Sequence, residues 1–214
     1  MSTRYILPLA DPDAVLETVG GKGASLARLS RAGLPVPGGF HVTTAAYRKF
    51  VADNDLQPRI LKILEAVDST QPASLENASQ AIRGLFAQAQ VPNEIGEAIE
   101  QAYALLPGVD LPAAVRSSAT AEDLPELSFA GQQETFLNVC GIGAIQEAVK
   151  RCWASLWTGR AISYRMQHGI DQNAVALAVV VQSLVAAESA GILFTANPLT
   201  GRRDEVVINA AWGL

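Results

Sequence analysis

Cysteine, histidine and long apolar runs are all scarce in this 214-residue sequence. The two cysteines, Cys140 and Cys152, form no CxxC pair, which predicts reduced thiols in a cytoplasmic protein rather than a disulfide scaffold. The most apolar stretch, 174–187, is too short to span a bilayer. Because Asp11 and Asp13 come early, we expect no signal peptide.

Clustered positive charge is also missing. Lys and Arg number 16 against 21 Asp and Glu, which gives a formal net charge of −5, and basic residues occur singly or in pairs. This pattern argues against a nucleic-acid or anionic-membrane partner, since both need a basic patch. Apolar residues make up 49% of the chain and charged residues 17%, which is typical of a globular protein of one or two domains.

Apolar periodicity predicts helices in the first half of the chain and strands towards its end. Residues 56–106 carry apolar residues at helical spacing between prolines, which indicates a helical packing layer. A long helix is predicted over 145–166. Shorter helices are expected after 20–23, ending at Gly33, and over 45–52, capped by Thr43 or Thr44. Strands are predicted at 5–7, 113–115, 134–139, 176–181, 191–195 and 205–211, with a hairpin turn at 197–201.

The segment Gly20-Gly21-Lys22-Gly23 is the first candidate for ligand binding. Glycines let a backbone approach an anion closely, and N–H groups at a helix N-terminus point towards it. Lys22 adds a charge suited to phosphate, although the spacing is not that of a Walker A loop. A glycine-rich helix start with an exposed lysine explains the same residues equally simply. The predicted apolar face of this helix carries Leu26 and Leu29.

Arg116 is the second candidate. It follows a short predicted strand and precedes the hydroxyl-rich segment 117–120. A guanidinium beside hydroxyl donors suits phosphate oxygens. The alternative is an ion pair with Glu122 or Asp123 in a surface turn.

Two further positions are polar where a ligand could bind. Gly131 lies between a predicted loop and a strand, where a backbone can close over a ligand, although a plain strand entry explains it equally. Gln182 is a lone amide in an apolar strand, so it needs a partner, either an adenine edge or a backbone group. His41 and His168 lie near no triad-like or metal-like set, and we expect both to be structural.

Six segments, taken in order, resemble the N-terminal ATP-binding region of the phosphoenolpyruvate synthase family. They are 20–26, 33–40, 114–123, 128–139, 160–165 and 190–195. Pyruvate phosphate dikinases and rifampicin phosphotransferases have a similar region. The resemblance implies an ATP-grasp-like site, with ATP held between two lobes. It also implies a reaction in which ATP phosphorylates a histidine on a swivelling domain, and the β-phosphate then passes to pyruvate, leaving AMP and phosphate.

The resemblance also implies roles for individual residues. Lys22 and Arg116 would be catalytic, binding the ATP phosphates and stabilising the charge that moves in the transfer. The other nucleotide-binding positions would be Gly131 and Thr135 on the loop over the phosphates, Gln182 near the adenine, and Phe136.

Several parts of the family pattern have no counterpart here. The sequence holds no Thr-x-His-Ala phosphohistidine motif and no pyruvate-binding barrel, and the Mg²⁺ ligands are expected beyond residue 214. We therefore expect a fragment of a longer chain that is inactive alone, and we assign no metal ligand.

The predicted fold is α+β. It comprises a first ATP-grasp-like lobe over 1–183, with a helical subdomain at 55–108, and the start of a second lobe at 184–214. Two alternatives stay open: the ATP-binding part of a rifampicin phosphotransferase or pyruvate phosphate dikinase, or a nucleotide-binding module without catalysis.

Overall fold

A computed structural model describes residues 4–106, 112–120 and 134–213. Gly131 therefore lies outside the described residues, as do Glu122 and Asp123. The fold is mixed α/β, which confirms the predicted class. Its elements, in chain order, are β1 (Ile6–Pro8), α1 (Leu16–Arg31), β2 (Gly39–Val42), α2 (Thr44–Asp53), α3 (Leu56–Glu65), α4 (Pro72–Gln88), α5 (Asn93–Ala104), β3 (Ala113–Ala119), β4 (Thr135–Val139), α6 (Ile142–Ala154), a 3₁₀ turn (Ser155–Trp157), α7 (Gly159–Gln167), β5 (Leu177–Ser183), β6 (Ser189–Phe194) and β7 (Val207–Trp212).

The main sheet is antiparallel, with the strand order β1-β2-β5-β3-β4. Its central strand, β5, is buried along almost its whole length, which explains why its sequence is nearly all apolar. Alternate residues of each strand face opposite sides of the sheet. Val115 and Val181 therefore face one layer of helices, while Arg116 and Val180, paired across β3 and β5, face the other side.

Helices cover the two faces of this sheet unequally. The larger core, between the sheet and helices α2 to α7, contains Tyr47, Phe50, Phe86 and Trp153. The Phe50 and Trp153 ring centroids lie 4.9 Å apart, within the range of favourable aromatic contacts. Helix α1 covers the opposite face with a smaller cluster of side chains. This cluster consists of Leu7, Ala14, Val19 and Ala27.

The predicted long helix over 145–166 is wrong, because the chain breaks between α6 and α7. A 3₁₀ turn follows Ala154, and α7 begins anew after Thr158, whose hydroxyl accepts a hydrogen bond of 3.3 Å from the Ala161 N–H. The break turns Trp157 fully into the core. Apolar residues continue across it at nearly helical spacing, so the pattern alone conceals it.

Strand β3 is longer than the predicted strand over 113–115. It continues to Ala119, so Arg116 lies in mid-strand rather than at a strand end. Ser117 and Ser118 are buried, and their polar side chains are satisfied by hydrogen bonds to backbone carbonyls. The hydroxyl-rich sequence can therefore lie in a buried strand, because the fold supplies hydrogen-bond acceptors for these side chains.

Two smaller expectations near the N-terminus also need correction. Helix α1 begins at Leu16 and breaks at Gly20, so a helical segment does start at the glycines as predicted. Leu29, however, is 43% exposed, so its place on the predicted apolar face is wrong. Helix α2 begins at the expected place, but the Thr43 and Thr44 hydroxyls donate to backbone carbonyls of other segments instead of capping it. Gly33 follows the end of α1 with a φ of +74°, as predicted.

The chain divides into two compact units, Met1–Leu184 and Val185–Leu214. The second contains the antiparallel pair β6 and β7, so the predicted hairpin is confirmed. Across the three described ranges, no helix has both the length and the apolar character needed to cross a bilayer.

Candidate functional site

The glycine-rich segment forms a break within α1. Gly20 has φ +71° and ψ 176°, which are not helical angles. A Cβ at this position would overlap the carbonyl and hydroxyl oxygens of Ser118, so both the backbone angle and the available space require glycine. The residues after Gly20 form the first turn of a second helical segment that runs to Arg31. Backbone N–H groups in such a turn lack helical partners and are available to other acceptors.

Ser118 joins β3 to both sides of this break. Its side chain is fully buried and faces α1. The hydroxyl donates to the Val19 carbonyl oxygen over 2.7 Å and accepts from the Gly23 N–H over 3.1 Å. Gly23 must also be glycine, because a Cβ there would lie 2.8 Å from the Cβ of Val19. The break in α1 is therefore held by strand β3.

Lys22 extends from the first turn after the break towards the same strand. Its Nζ donates to the carbonyl oxygen of Ser117 over 3.4 Å. Ser117 directly follows Arg116, so the two cations predicted to bind phosphate belong to adjoining parts of the structure. The Glu134 carbonyl accepts hydrogen bonds from the Ser117 N–H and hydroxyl, which hold β3 against the start of β4.

Arg116 lies between the two neighbours of β3. It pairs in register with Thr135 of β4 on one side and Val180 of β5 on the other. Cross-strand partners share a face of a sheet, so Thr135 lies on the same face as Arg116. The Arg116 Nε is buried and has no hydrogen-bond partner within the described ranges. An unpartnered guanidinium nitrogen is costly, and this one is adjacent to the segment that carries Lys22.

Phe136 is on the other face of the sheet. It pairs with Val115 and packs against the larger core, with the Arg151 guanidinium 4.1 Å from the ring centroid. The structure therefore does not bring the Phe136 ring together with Lys22 and Arg116. Because neighbouring residues of a strand face opposite sides of a sheet, Phe136 and Thr135 point in opposite directions.

Gln182 shares the α1 face with Arg116 but lies further along the sheet. It is 6% exposed and pairs in register with Gly39 and Ala114. Its Nε2 donates to the Pro37 carbonyl oxygen over 3.2 Å. Of the two partners expected for this amide, an adenine edge or a backbone group, the structure shows the backbone group.

A neutral histidine lies behind the glycine-rich segment. His41 is fully buried, and its Nε2 lies 3.3 Å from the Leu9 carbonyl oxygen. Burial lowers the pKa of His41, so the ring is uncharged at neutral pH and its Nε2 donates to Leu9. Its Nδ1 faces the Gly23 Cα and has no hydrogen-bond partner in the described part of the chain. His168 caps the exposed end of α7 and stacks on Tyr164.

The sequence pattern predicts that Ser117 and Ser118 offer hydroxyl donors to phosphate. In the structure both hydroxyls instead donate to backbone carbonyls of the protein. The signal available was that glycines at 20 and 23 flank a lysine, which indicates a close approach by some other segment.

No group of three or more His, Cys, Asp or Glu side chains within the described ranges could hold a metal ion. The carboxylate nearest to the site in sequence, Glu134, pairs with Arg83 Nη2 over 3.2 Å.

Comparison with known proteins gives this arrangement a family. The model for the pyruvate phosphate dikinase AMP/ATP-binding domain matches residues 16–214. This chain belongs to that family. The dikinase AMP/ATP-binding domain match includes the glycine-rich segment, β3 and both hairpin strands.

Relatives in this family have names that agree with the motif resemblance. The chain is 50% identical to a probable phosphoenolpyruvate synthase of Methanocaldococcus jannaschii over 93% of its length, and 49% identical to a phosphoenolpyruvate synthase of Aeropyrum pernix over its full length. It is also 46% identical, over its full length, to a rifampicin phosphotransferase of Streptomyces sviceus. The matches cover only 17%, 27% and 25% of those proteins, respectively. The predicted family is therefore confirmed, for a region that spans about a quarter or less of its relatives.

Proposed function

We propose that this chain is the ATP-binding part of a longer phosphotransferase of the phosphoenolpyruvate synthase type. The observation that carries the proposal is the contact between Lys22 Nζ and the carbonyl of Ser117, the residue after Arg116. Lys22, in the N-terminal turn of a helical segment, thereby meets the backbone of the residue next to Arg116, from a distant part of the chain. This is the kind of place where proteins bind phosphate groups.

In this proposal, Lys22 and Arg116 neutralise the ATP phosphates and the charge that shifts during phosphoryl transfer. Phosphoryl transfer depends chiefly on positioning and electrostatic stabilisation, which both side chains supply. Lys22 acts as a mobile point charge, and Arg116 as a planar donor of several N–H groups. The neutral His41 adds no competing charge beneath the segment.

The other expected nucleotide contacts are retained as part of the proposal. Thr135 shares the face and register of Arg116, which suits a hydroxyl near the phosphates. The Gln182 amide is proposed near the adenine, and Gly131 over the phosphates. Because the Phe136 ring packs on the opposite face, we propose that Phe136 contributes through its backbone. The lobes of an ATP-grasp-like fold are proposed at 1–183 and 184–214.

Calorimetric titration of ATP into the purified chain tests the site. Lys22→Ala and Arg116→Ala should each weaken ATP binding by about tenfold to a hundredfold, the loss expected when a charge-assisted hydrogen bond is removed. Arg59→Ala is the matched control, because Arg59 is exposed on α3, on the helical side of the sheet. Unchanged affinity in both site variants would remove the phosphate site from this position.

The acceptor chemistry is proposed for the whole protein. A histidine on another domain takes the β- and γ-phosphates from ATP together, which releases AMP. Water then removes the γ-phosphate as free phosphate, and the remaining β-phosphoryl group passes from the histidine to pyruvate to give phosphoenolpyruvate. In this proposal the Mg²⁺ ligands lie beyond residue 214, as the family resemblance implies. The 214-residue chain alone, given ATP, Mg²⁺ and pyruvate, should form no phosphoenolpyruvate. Turnover by the chain alone would contradict the proposal that the acceptor histidine and the metal ligands lie outside it.

Transfer to an antibiotic is the second candidate function. It is supported by the match of the whole chain to 25% of a rifampicin phosphotransferase. The two candidates share the ATP site and differ in the acceptor. Incubating the full-length protein with ATP, Mg²⁺ and either pyruvate or rifampicin separates them by product: phosphoenolpyruvate or phosphorylated rifampicin. ATP binding with neither product would favour a nucleotide-binding module without catalysis.

A further inference from the structure

The hydroxyl of Ser118 occupies a specific place in the hydrogen-bond pattern of α1. In a continuous α-helix, the N–H of residue 23 would donate to the carbonyl oxygen of residue 19. Here the Gly23 N–H donates to Ser118 Oγ instead, and Ser118 Oγ donates to the Val19 carbonyl. A side chain from β3 is therefore inserted into one of the helical hydrogen bonds that would span Gly20, the bond between Val19 and Gly23.

This insertion has a geometric consequence for the helix. A group inserted into the helical hydrogen-bond ladder is one of the recognised causes of a sharp kink. The kink appears at Gly20, whose φ of +71° places its Cα against Ser118. The hydroxyl satisfies both backbone groups that the kink would otherwise leave unpaired, in a site with no solvent exposure.

The same insertion positions Lys22. Lys22 is one residue before Gly23, and its Nζ reaches the carbonyl of Ser117, one residue before Ser118. Two consecutive residues of β3 thus hold two consecutive residues of α1, one by a backbone carbonyl and one by a side-chain hydroxyl. Arg116 is the next residue along the same strand.

We propose that Ser118 is a positioning residue that sets the separation between Lys22 and Arg116. Its hydroxyl touches neither cation; it acts through the kinked backbone at 19–23. Without it, the Val19 carbonyl and the Gly23 N–H pair directly, the helix straightens and Lys22 moves away from β3. The role rests on the proposed ATP site, and it concerns the phosphates rather than the nucleoside.

The test compares ATP with AMP, because a phosphate-positioning residue affects the longer phosphate chain more. Ser118→Ala should weaken ATP binding by about tenfold to a hundredfold and AMP binding by about threefold or less. Ser118→Thr, which keeps the hydroxyl, should retain the wild-type ratio of the two affinities. Ser155→Ala is the matched control, since Ser155 is also buried and donates to a carbonyl, that of Cys152, over 2.6 Å.

Each outcome decides a different claim. If Lys22→Ala and Arg116→Ala leave ATP binding unchanged, the proposed function fails. If they weaken it while Ser118→Ala keeps the wild-type ratio, or Ser118→Thr behaves like Ser118→Ala, the role of the hydroxyl is overturned.

Should Ser118→Ala fail to fold, Ser118→Cys replaces it under the same criterion, because a thiol fills the site but bonds weakly. A crystal structure of the wild-type protein with ATP decides the question without any variant. We expect Ser118 Oγ between Val19 and Gly23, with Lys22 on a phosphate. A direct Val19–Gly23 hydrogen bond would overturn the proposal.

Discussion

Lys22 Nζ lies 3.4 Å from the carbonyl oxygen of Ser117, a residue 95 positions later in the chain. The contact joins a helix that begins at Leu16 to a strand in the middle of the main sheet. Nothing in the sequence around Lys22 or Ser117 indicates this contact. Because of the contact, the position of the Lys22 ammonium depends on the backbone geometry of both elements, so the kink at Gly20 is the first feature to perturb.

Gly20→Ala should be strongly destabilising. The alanine Cβ would overlap Ser118, and L-residues other than glycine are strained at a φ of +71°. We expect a loss of about 2–4 kcal/mol in the free energy of unfolding, measured in urea.

Gly84→Ala is the matched control for that substitution. Gly84 lies inside α4, and a Cβ there meets no atom within 4 Å. Alanine in a helix interior is favoured over glycine by roughly 0.5–1 kcal/mol, so the control should be neutral or stabilising. Equal losses in the two variants would show that the kink does not need glycine.

The stability of the fold should decrease as the pH falls below 6.5 because of His41. Burial lowers the pKa of His41 below its ordinary value of 6.5, while the ring of the unfolded chain titrates near 6.5. As pH falls below 6.5, the unfolded state binds a proton that the folded state does not. The free energy of unfolding therefore falls with pH in this window and levels off below the folded pKa.

Urea unfolding at a series of pH values tests this expectation. His41→Gln should flatten the dependence, whereas His168→Gln, at the exposed end of α7, should retain it. Carboxylates titrate lower; the Arg4 guanidinium, for example, lowers the pKa of Asp11 below 3.8. If His41→Gln keeps the wild-type pH dependence of the free energy of unfolding, a group other than His41 causes it.

Arg165 should be essential to the packing between α7 and the preceding 3₁₀ turn. It is 2% exposed; its Nη1 donates to the Leu156 carbonyl and its Nε to Gln172 Oε1, each over 2.8 Å. The guanidinium lies 4.8 Å from the Trp157 ring centroid, and burial lowers its pKa to about 10. Arg165→Ala leaves these acceptors unpaired, and we expect a loss of about 2–4 kcal/mol.

Thermal or urea unfolding measures that loss, with Arg160→Ala as the control on the same helix. Arg160 is exposed, so its removal should change stability by about 0.5 kcal/mol or less. Similar losses in both variants would mean that the buried contacts of Arg165 contribute little.

The two cysteines should differ sharply in reactivity. Cys140 is exposed, whereas Cys152 is buried, and burial raises the pKa of the Cys152 thiol. The thiolate is the reactive form, so the native protein should release one equivalent of dye from a thiol-specific disulfide reagent, and the unfolded protein two. Cys140→Ser should abolish labelling of the native protein. Rapid native labelling of Cys152 would show that the larger core opens readily.

Helices and strands that follow from the spacing of neighbouring apolar residues were predicted correctly. The helical layer over 56–106 and the buried strand at 176–181 appear as α3, α4, α5 and β5, because their apolar spacing reflects which side faces the core. Gly33 follows the end of α1, and the turn at 197–201 lies between β6 and β7, both as expected. Lys22 and Arg116 stay predictions for the phosphate site, made because cations beside glycines and hydroxyls are a local chemical signature.

Features that depend on distant segments were not predictable in this way. The kink at Gly20, the continuation of β3 through Ser118 and the break before Thr158 each rest on a hydrogen bond or on burial that the local pattern does not reveal. Composition and periodicity thus specified the class of fold and the candidate residues of the site. The kink that precedes Lys22 depends on a buried hydroxyl whose partners lie more than 90 positions away, because hydrogen bonds between distant segments form only once the chain has folded.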